Sequence, residues 1–338
     1  MSAYDEIDVM YDTPAHPARI VAPYYRLLMD CRAVGIWHPP GRTSAGSHKL
    51  IGRTIHYETS QGFPLDLTRP VAVKGALGEM LGFIKGATTQ QEFEALGCKF
   101  WKPWATESGA LGPIYGANWR RWQDSAGNVH DQLANVIRGL KERPFSRRHH
   151  VSAWKVDLLP DETQSPQANA EQGLMALAPC HMDFTFEVAL VKPYGNFHSP
   201  HGPVWRHVCD EKEADGTCQK MLHMCVHMRS NDLPVGQPHN ATGYYYLLKM
   251  VAQQTGMVVG NTKFYLDNAH IYTNQRDALE EHVQRFAQLN QLYAEGKLQG
   301  IPRVELKMAD SIDDYTPEHF EFINCKSPFG SLNYPVEV

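Results

Sequence analysis

A cysteine that follows a proline-fixed turn and leads into an alternating apolar segment presents its sulfur at the end of a sheet, and Ala176-Leu177-Ala178-Pro179-Cys180-His181 has that form. Such a thiol is either an inert buried group or a nucleophile. Arginines elsewhere favour the second reading: Arg147-Arg148 after Pro144-Phe145-Ser146, Arg229 followed by Ser230, and Arg42 in a Gly/Ser-rich loop. Guanidinium forks suit a phosphate dianion and lower the pKa of a neighbouring thiol. Arg229-Ser230-Asn231-Asp232, then Gly236, Pro238, Asn240 and Tyr244, packs polar and turn-forming residues just past an apolar strand. Such a run is costly in a core unless every group has a partner, so it is expected to line a polar cleft. Cys209, Cys218 and Cys225 lie among His207, His223 and His227, but without C-x-x-C or H-x-x-x-H spacing, and no metal site is assigned to them.

The elements that must hold these groups are legible as periodicities. Helices are expected at Tyr24–Val34, Val71–Lys85 with Gly86 as its stop, His130–Glu142, Tyr244–Gln254 and Asp277–Leu292. Strands are expected at Ile51–Glu58, His150–Val156, Cys180–Val191, Met221–Met228 and Val304–Met308. Polar, Pro/Gly-rich stretches at 159–173 and 193–216 read as surface insertions within one domain spanning 1–338, because the strands they interrupt need each other's edges. Long helices with irregularly ordered strands and no strict βαβ alternation argue for an α+β fold with a mixed, twisted sheet flanked by helices.

With 338 residues, 43% of them hydrophobic, the chain can bury a large core, and its net charge of −5 argues against a nucleic-acid footprint. Seven cysteines without framework spacing speak against a disulfide scaffold. The acidic N-terminus and the lack of any long apolar stretch predict a soluble, cytoplasmic protein without a membrane segment. Gly109-Ala110-Leu111-Gly112 matches neither a dinucleotide fingerprint nor a P-loop.

Taken in order, the motifs resemble those of the thymidylate synthases and their pyrimidine hydroxymethylase relatives. They include Arg42-Thr43, Gly62-Phe63-Pro64-Leu65, Glu79 with Phe83-Ile84-Lys85-Gly86, Trp101 and Trp104, Leu111-Gly112-Pro113-x-Tyr115-Gly116 and Ser146-Arg147-Arg148. Pro179-Cys180-His181, Arg229-Ser230-x-Asp232, Gly236-x-Pro238-x-Asn240 and His270-x-Tyr272 follow. The resemblance implies a homodimer with shared active sites, in which Arg147 and Arg148 join the partner's Arg42, Arg229 and Ser230 around the 5′-phosphate of dUMP. It implies Cys180 as the nucleophile at carbon 6, Glu79 and Tyr115 in proton transfer, and His270 and Tyr272 on the sugar. An amide such as Asn240 complements uracil, accepting from N3–H and donating to O4, where cytosine would favour a carboxylate. The one-carbon donor implied is 5,10-methylenetetrahydrofolate, with Trp101, Trp104, Leu177, Asp232 and Gly236 around its rings, Arg69 near its acidic tail and the C-terminal Val338 beside it.

Several positions depart from the synthase pattern: His239 where Phe is usual, Gly82 where Trp is usual, Met228 and Thr185 where Gln is usual, and Asp183 three residues after Cys180. Strand alternation points Asp183 away from Cys180. His239 in place of an aromatic wall residue, admitting and orienting a water and serving it as a base, predicts hydroxymethylation of dUMP, as in phages that place 5-hydroxymethyluracil in their DNA. Ordinary thymidylate synthesis is the alternative, favoured by Trp101 and the Pro335-Val336-Glu337-Val338 tail.

Overall fold

The computed structural model describes every residue except 42, 200, 201, 299 and 338, with backbone alone at 195–199, 202 and 203. Arg42 and Val338 therefore lie outside the described residues. The helices in chain order are α1 (Ala3–Asp12), α2 (Ala22–Val34), α3 (Val73–Lys85), α4 (Gln90–Ala95), α5 (Gly116–Arg120), α6 (Gln132–Glu142), α7 (Pro166–Glu171), α8 (Gly236–Thr255) and α9 (Arg276–Ala294). The strands are β1 (Ile36–His38), β2 (Ser47–Tyr57), β3 (Trp122–Gln123), β4 (Val129–His130), β5 (His150–Ser152), β6 (His181–Ser199), β7 (Gly202–His207), β8 (Gln219–Met228), β9 (Asn231–Asp232), β10 (Val258–Tyr272), β11 (Arg303–Leu306) and β12 (Phe320–Ile323).

Alternation decides which face of the main sheet is dry. In β8, Leu222, Met224, Val226 and Met228 are buried while His223, Cys225 and His227 turn the other way. Phe184 and Phe186 of β6 and Phe264 and Leu266 of β10 join the buried face, over which α8 lays Tyr244, Leu247, Leu248 and Val251. Tyr244 meets Phe184 at 5.8 Å and Phe264 at 5.9 Å between ring centroids. The strand order is β1-β2-β10-β8-β6-β5, with β8 parallel to β10 and the other neighbouring pairs antiparallel. The sheet is thus mixed, as the element pattern predicts.

Helix ends follow the expected chemistry. Helix α3 stops at Gly86 with φ of +71°, and α6 begins at Asp131, whose carboxylate accepts the Ala134 N–H at 2.9 Å. The structure corrects the sequence reading in four places. The 15-residue strand β10 has no counterpart among the expected strands. Helix α8 starts at Gly236, eight residues before the expected Tyr244, so the polar run 236–240 is its first turn rather than irregular cleft. Strand β5 ends at Ser152 rather than Val156. The stretch 193–216 contains the extension of β6 and its hairpin partner β7, and 159–173 contains α7, whose Asn169 is buried. Among the described residues, no helix is long and apolar enough to cross a membrane.

Candidate active site

Cys180 sits half-buried immediately before β6, and its position is set by backbone bonds on both sides. Its N–H donates to Tyr115 Oη at 2.8 Å, and its carbonyl accepts the Arg229 N–H at 2.9 Å. The Arg229 guanidinium adds Nε to the Pro179 carbonyl at 2.9 Å and Nη2 to the Ala178 carbonyl at 2.8 Å, and it lies 5.8 Å over the Trp154 ring. One arginine therefore splints the turn that presents the thiol, and its Nη1 has no hydrogen-bond partner among the described residues. The sequence reading assigned this arginine to a phosphate and did not foresee the splint.

Tyr115 is held in a rare conformation, φ +26°, at the start of α5. A non-glycine residue there stores on the order of 1–3 kcal/mol, which the packing around it must offset. His181 stacks on its ring at 4.1 Å and Phe83 lies 4.9 Å away. Burial pushes the Tyr115 phenol well above its usual pKa, so it stays neutral and able to donate. Burial also drives His181 down to about 3, and this neutral imidazole bonds Tyr244 Oη through Nδ1 at 2.7 Å.

Glu79 projects from α3 beside this cluster. Burial raises its carboxyl to about 7, and the nearby Trp101 indole offsets only part of that rise. A group that is half protonated at neutral pH suits acid–base work. The Trp101 and Trp104 indoles lie 5.8 Å apart; Trp101 faces the Glu79 carboxyl, and the Trp104 N–H is buried without a hydrogen-bond partner among the described residues. An unmet donor on an aromatic wall suits a flat ligand bearing acceptors.

On the other side, the N-terminal turn of α8 carries Gly236, His239 and Asn240. The Asn240 amide reaches Met228 Sδ at 4.0 Å, one residue from the arginine that splints Cys180. Asp232 is half-buried and raised to about 6 by desolvation, although Gln275 and the Val235 N–H donate to it at 2.9 and 3.1 Å. His270, nearly buried and lowered to about 4, packs edge-on against Tyr272 at 4.9 Å. Leu177 is half-buried against the core. Arg147 and Arg148 are exposed on the turn before β5 and make no hydrogen bond or ion pair with any described residue; Ser230, half-buried, is likewise free of such bonds.

Arg69 differs from expectation. It is buried, ion-paired with Asp66 at 3.4 Å, bonded to the Pro234 carbonyl and stacked on Tyr334 at 5.3 Å. It braces the wall before α8 and offers no exposed guanidinium to an acidic tail.

The departures also acquire physical meaning. A Cβ at Gly82 would come within 2.4 Å of the Phe93 ring, which is fully buried and stacked on Trp101 at 5.8 Å. Phe93, from α4, occupies the space that a large residue at 82 would fill. Thr185 pairs with Cys225 and His150 across the sheet, and Asp183 bonds His227 of β8; a bulge between His181 and Asp183 interrupts the expected alternation, so that His181 and Phe184 both face Tyr244. Met228 is buried and accepts from Asn231 Nδ2 at 3.2 Å. His239 donates Nδ1–H to the Val235 carbonyl at 2.8 Å, and burial lowers its pKa, which leaves a neutral ring with a lone pair on Nε2.

Gln275, Phe93 and Gln237 escaped sequence reasoning. Gln237 bridges Asn231 and Tyr57 at 2.8 and 3.0 Å beneath the α8 turn. Only the tertiary fold brings their partners together, so no local spacing announces them.

The sequence pattern of the thymidylate synthase family matches residues 22–338. A protein named thymidylate synthase from Francisella philomiragia subsp. philomiragia (strain ATCC 25017) is 34% identical over 286 residues, which cover 84% of this chain and 89% of that one. With the match running from α2 through the thiol turn to the tail, this chain belongs to the thymidylate synthase family, one-carbon transferases that use 5,10-methylenetetrahydrofolate as co-substrate.

Proposed function

We propose that the protein converts dUMP to dTMP. The observation that carries this reading is a thiol splinted by Arg229 and Tyr115 in company with a carboxyl that titrates near 7. Cys180 Sγ adds to carbon 6 of the pyrimidine, and the electron pair moves through carbon 5 to O4, making carbon 5 nucleophilic. Asn240 meets N3–H and O4, and the free Arg229 Nη1 with Ser230 takes the phosphate. When bound, the folate supplies the one-carbon unit and then a hydride. Glu79 and the neutral Tyr115 handle the protons, including the one carbon 5 must lose, and Cys180 leaves by elimination.

Methylation is preferred to hydroxymethylation because the relative is named for it and because Phe93, stacked behind Trp101, fills the space beside Gly82. Arg147 and Arg148, exposed and without hydrogen-bond or ion-pair partners among the described residues, support a homodimer in which they complete the neighbour's phosphate site. The test is product analysis from dUMP and methylenetetrahydrofolate. Equal amounts of dTMP and dihydrofolate are expected, whereas 5-hydroxymethyl-dUMP with tetrahydrofolate would assign His239 the role of water base and overturn the methylation step.

A further inference from the structure

Glu337 is the one acid in the last ten residues, and it is not among the groups used above. Its Oε2 accepts the Ser44 N–H at 2.9 Å, the Ser44 hydroxyl at 2.8 Å and the Ala45 N–H at 3.3 Å, while Oε1 accepts the Asn274 amide at 2.7 Å. Ser44 follows Arg42 by two residues in the loop before β2, and Asn274 follows Tyr272 by two. The segment upstream is pinned as well. The Pro335 carbonyl accepts Gln275 Nε2 at 3.0 Å, and that same amide group holds Asp232. Gln275 Oε1 accepts the Tyr272 N–H at 2.9 Å. Chain ends fray unless tied down, and N–H donors to a carboxylate are among the stronger ties.

We propose that Glu337 is a positioning residue that clasps the C-terminal tail to the loop 43–46 and to the turn after Tyr272, so that the sugar and phosphate segments and the folate wall assemble as one unit. Its kinetic consequence rests on the dUMP and folate reading above. The clasp joins elements of both subsites, so its loss weakens both substrates together.

Two experiments test this. In Glu337→Ala, the KM values for dUMP and methylenetetrahydrofolate should each rise about tenfold, the effect of losing one or two charge-assisted hydrogen bonds. The kcat should fall less, the thermal midpoint should stay unchanged, and Glu337→Gln, with one acceptor oxygen left, should lie between. In the ligand-free protein, carboxypeptidase should trim the tail several-fold faster from the Ser44→Ala/Asn274→Ala double variant than from the unaltered chain, the tail sequence being the same in both. KM values within twofold of the parent in Glu337→Ala, or equal trimming rates, overturn the proposal. Should the parent not act on dUMP at all, the functional reading fails, and the trimming rates still decide the clasp.

Discussion

Replacing Glu79 by Gln gives a test in which stability and chemistry move in linked ways. Burial lifts the Glu79 carboxyl to about 7 from an ordinary value of 4.5, so the folded protein holds this proton more tightly than the unfolded chain. The sign follows: the favourable contribution is complete below about 4.5, shrinks as pH rises, and is gone above about 7. The span corresponds to about 3 kcal/mol of stability given up between those limits. Glutamine keeps the shape and carries no charge, so Glu79→Gln removes this slope. Urea unfolding of both proteins from pH 5 to 8.5 measures it. The variant should be the more stable by about 2–3 kcal/mol at pH 8.5, with the difference shrinking towards pH 5. The same substitution should cost about 10²–10⁴ in turnover and remove the inflection near 7 from the parent's pH profile. Parallel stability curves across this range would refute the claim that the parent buries an ionisable carboxyl at a cost, and near-normal turnover would refute its place in proton transfer.

Cys180→Ser should abolish turnover while dUMP binding, followed by calorimetry, stays within a few-fold of the parent, because a hydroxyl is a far weaker nucleophile at neutral pH. Asn240→Asp should shift preference from dUMP towards dCMP in competition assays, and an unchanged ratio would remove Asn240 as the base reader. Mixing inactive Cys180→Ser chains with inactive Arg148→Ala chains should restore part of the activity if sites are shared. Absence of rescue despite demonstrated heterodimers would place the phosphate clamp within one chain.

What the sequence disclosed and what it hid divide along a physical line. The Pro179-Cys180 turn and the stop at Gly86 are local devices, visible as residue types at fixed spacing. The alternation of β8 likewise announces its buried face, and with it the outward course of His223 and His227. Strand β10 was hidden because its pairing with β2 and β8 is wholly non-local. Burial was hidden for the same reason. Arg69 looks like a free cation in the sequence and becomes an internal brace only once Asp66, Pro234 and Tyr334 close around it. The Glu79 carboxyl needs the packed wall around it before its titration moves, and Gln275, besides its local bond from Tyr272, reaches Asp232 and Pro335, which lie 43 and 60 residues away along the chain.

Gly82 and Phe93 share one space, so the bulk that either position can carry depends on the other. A side chain added at 82 meets the Phe93 ring at 2.4 Å, a harsher fault than the cavity left by a smaller residue at 93, which costs only the contacts it forfeits. Transplantation is constrained accordingly. A large aromatic grafted onto position 82 from a relative fails in this background unless position 93 is made small in the same step, and a residue tolerated at 82 in one member of the family says nothing of its fitness in another until the occupant of 93 is known.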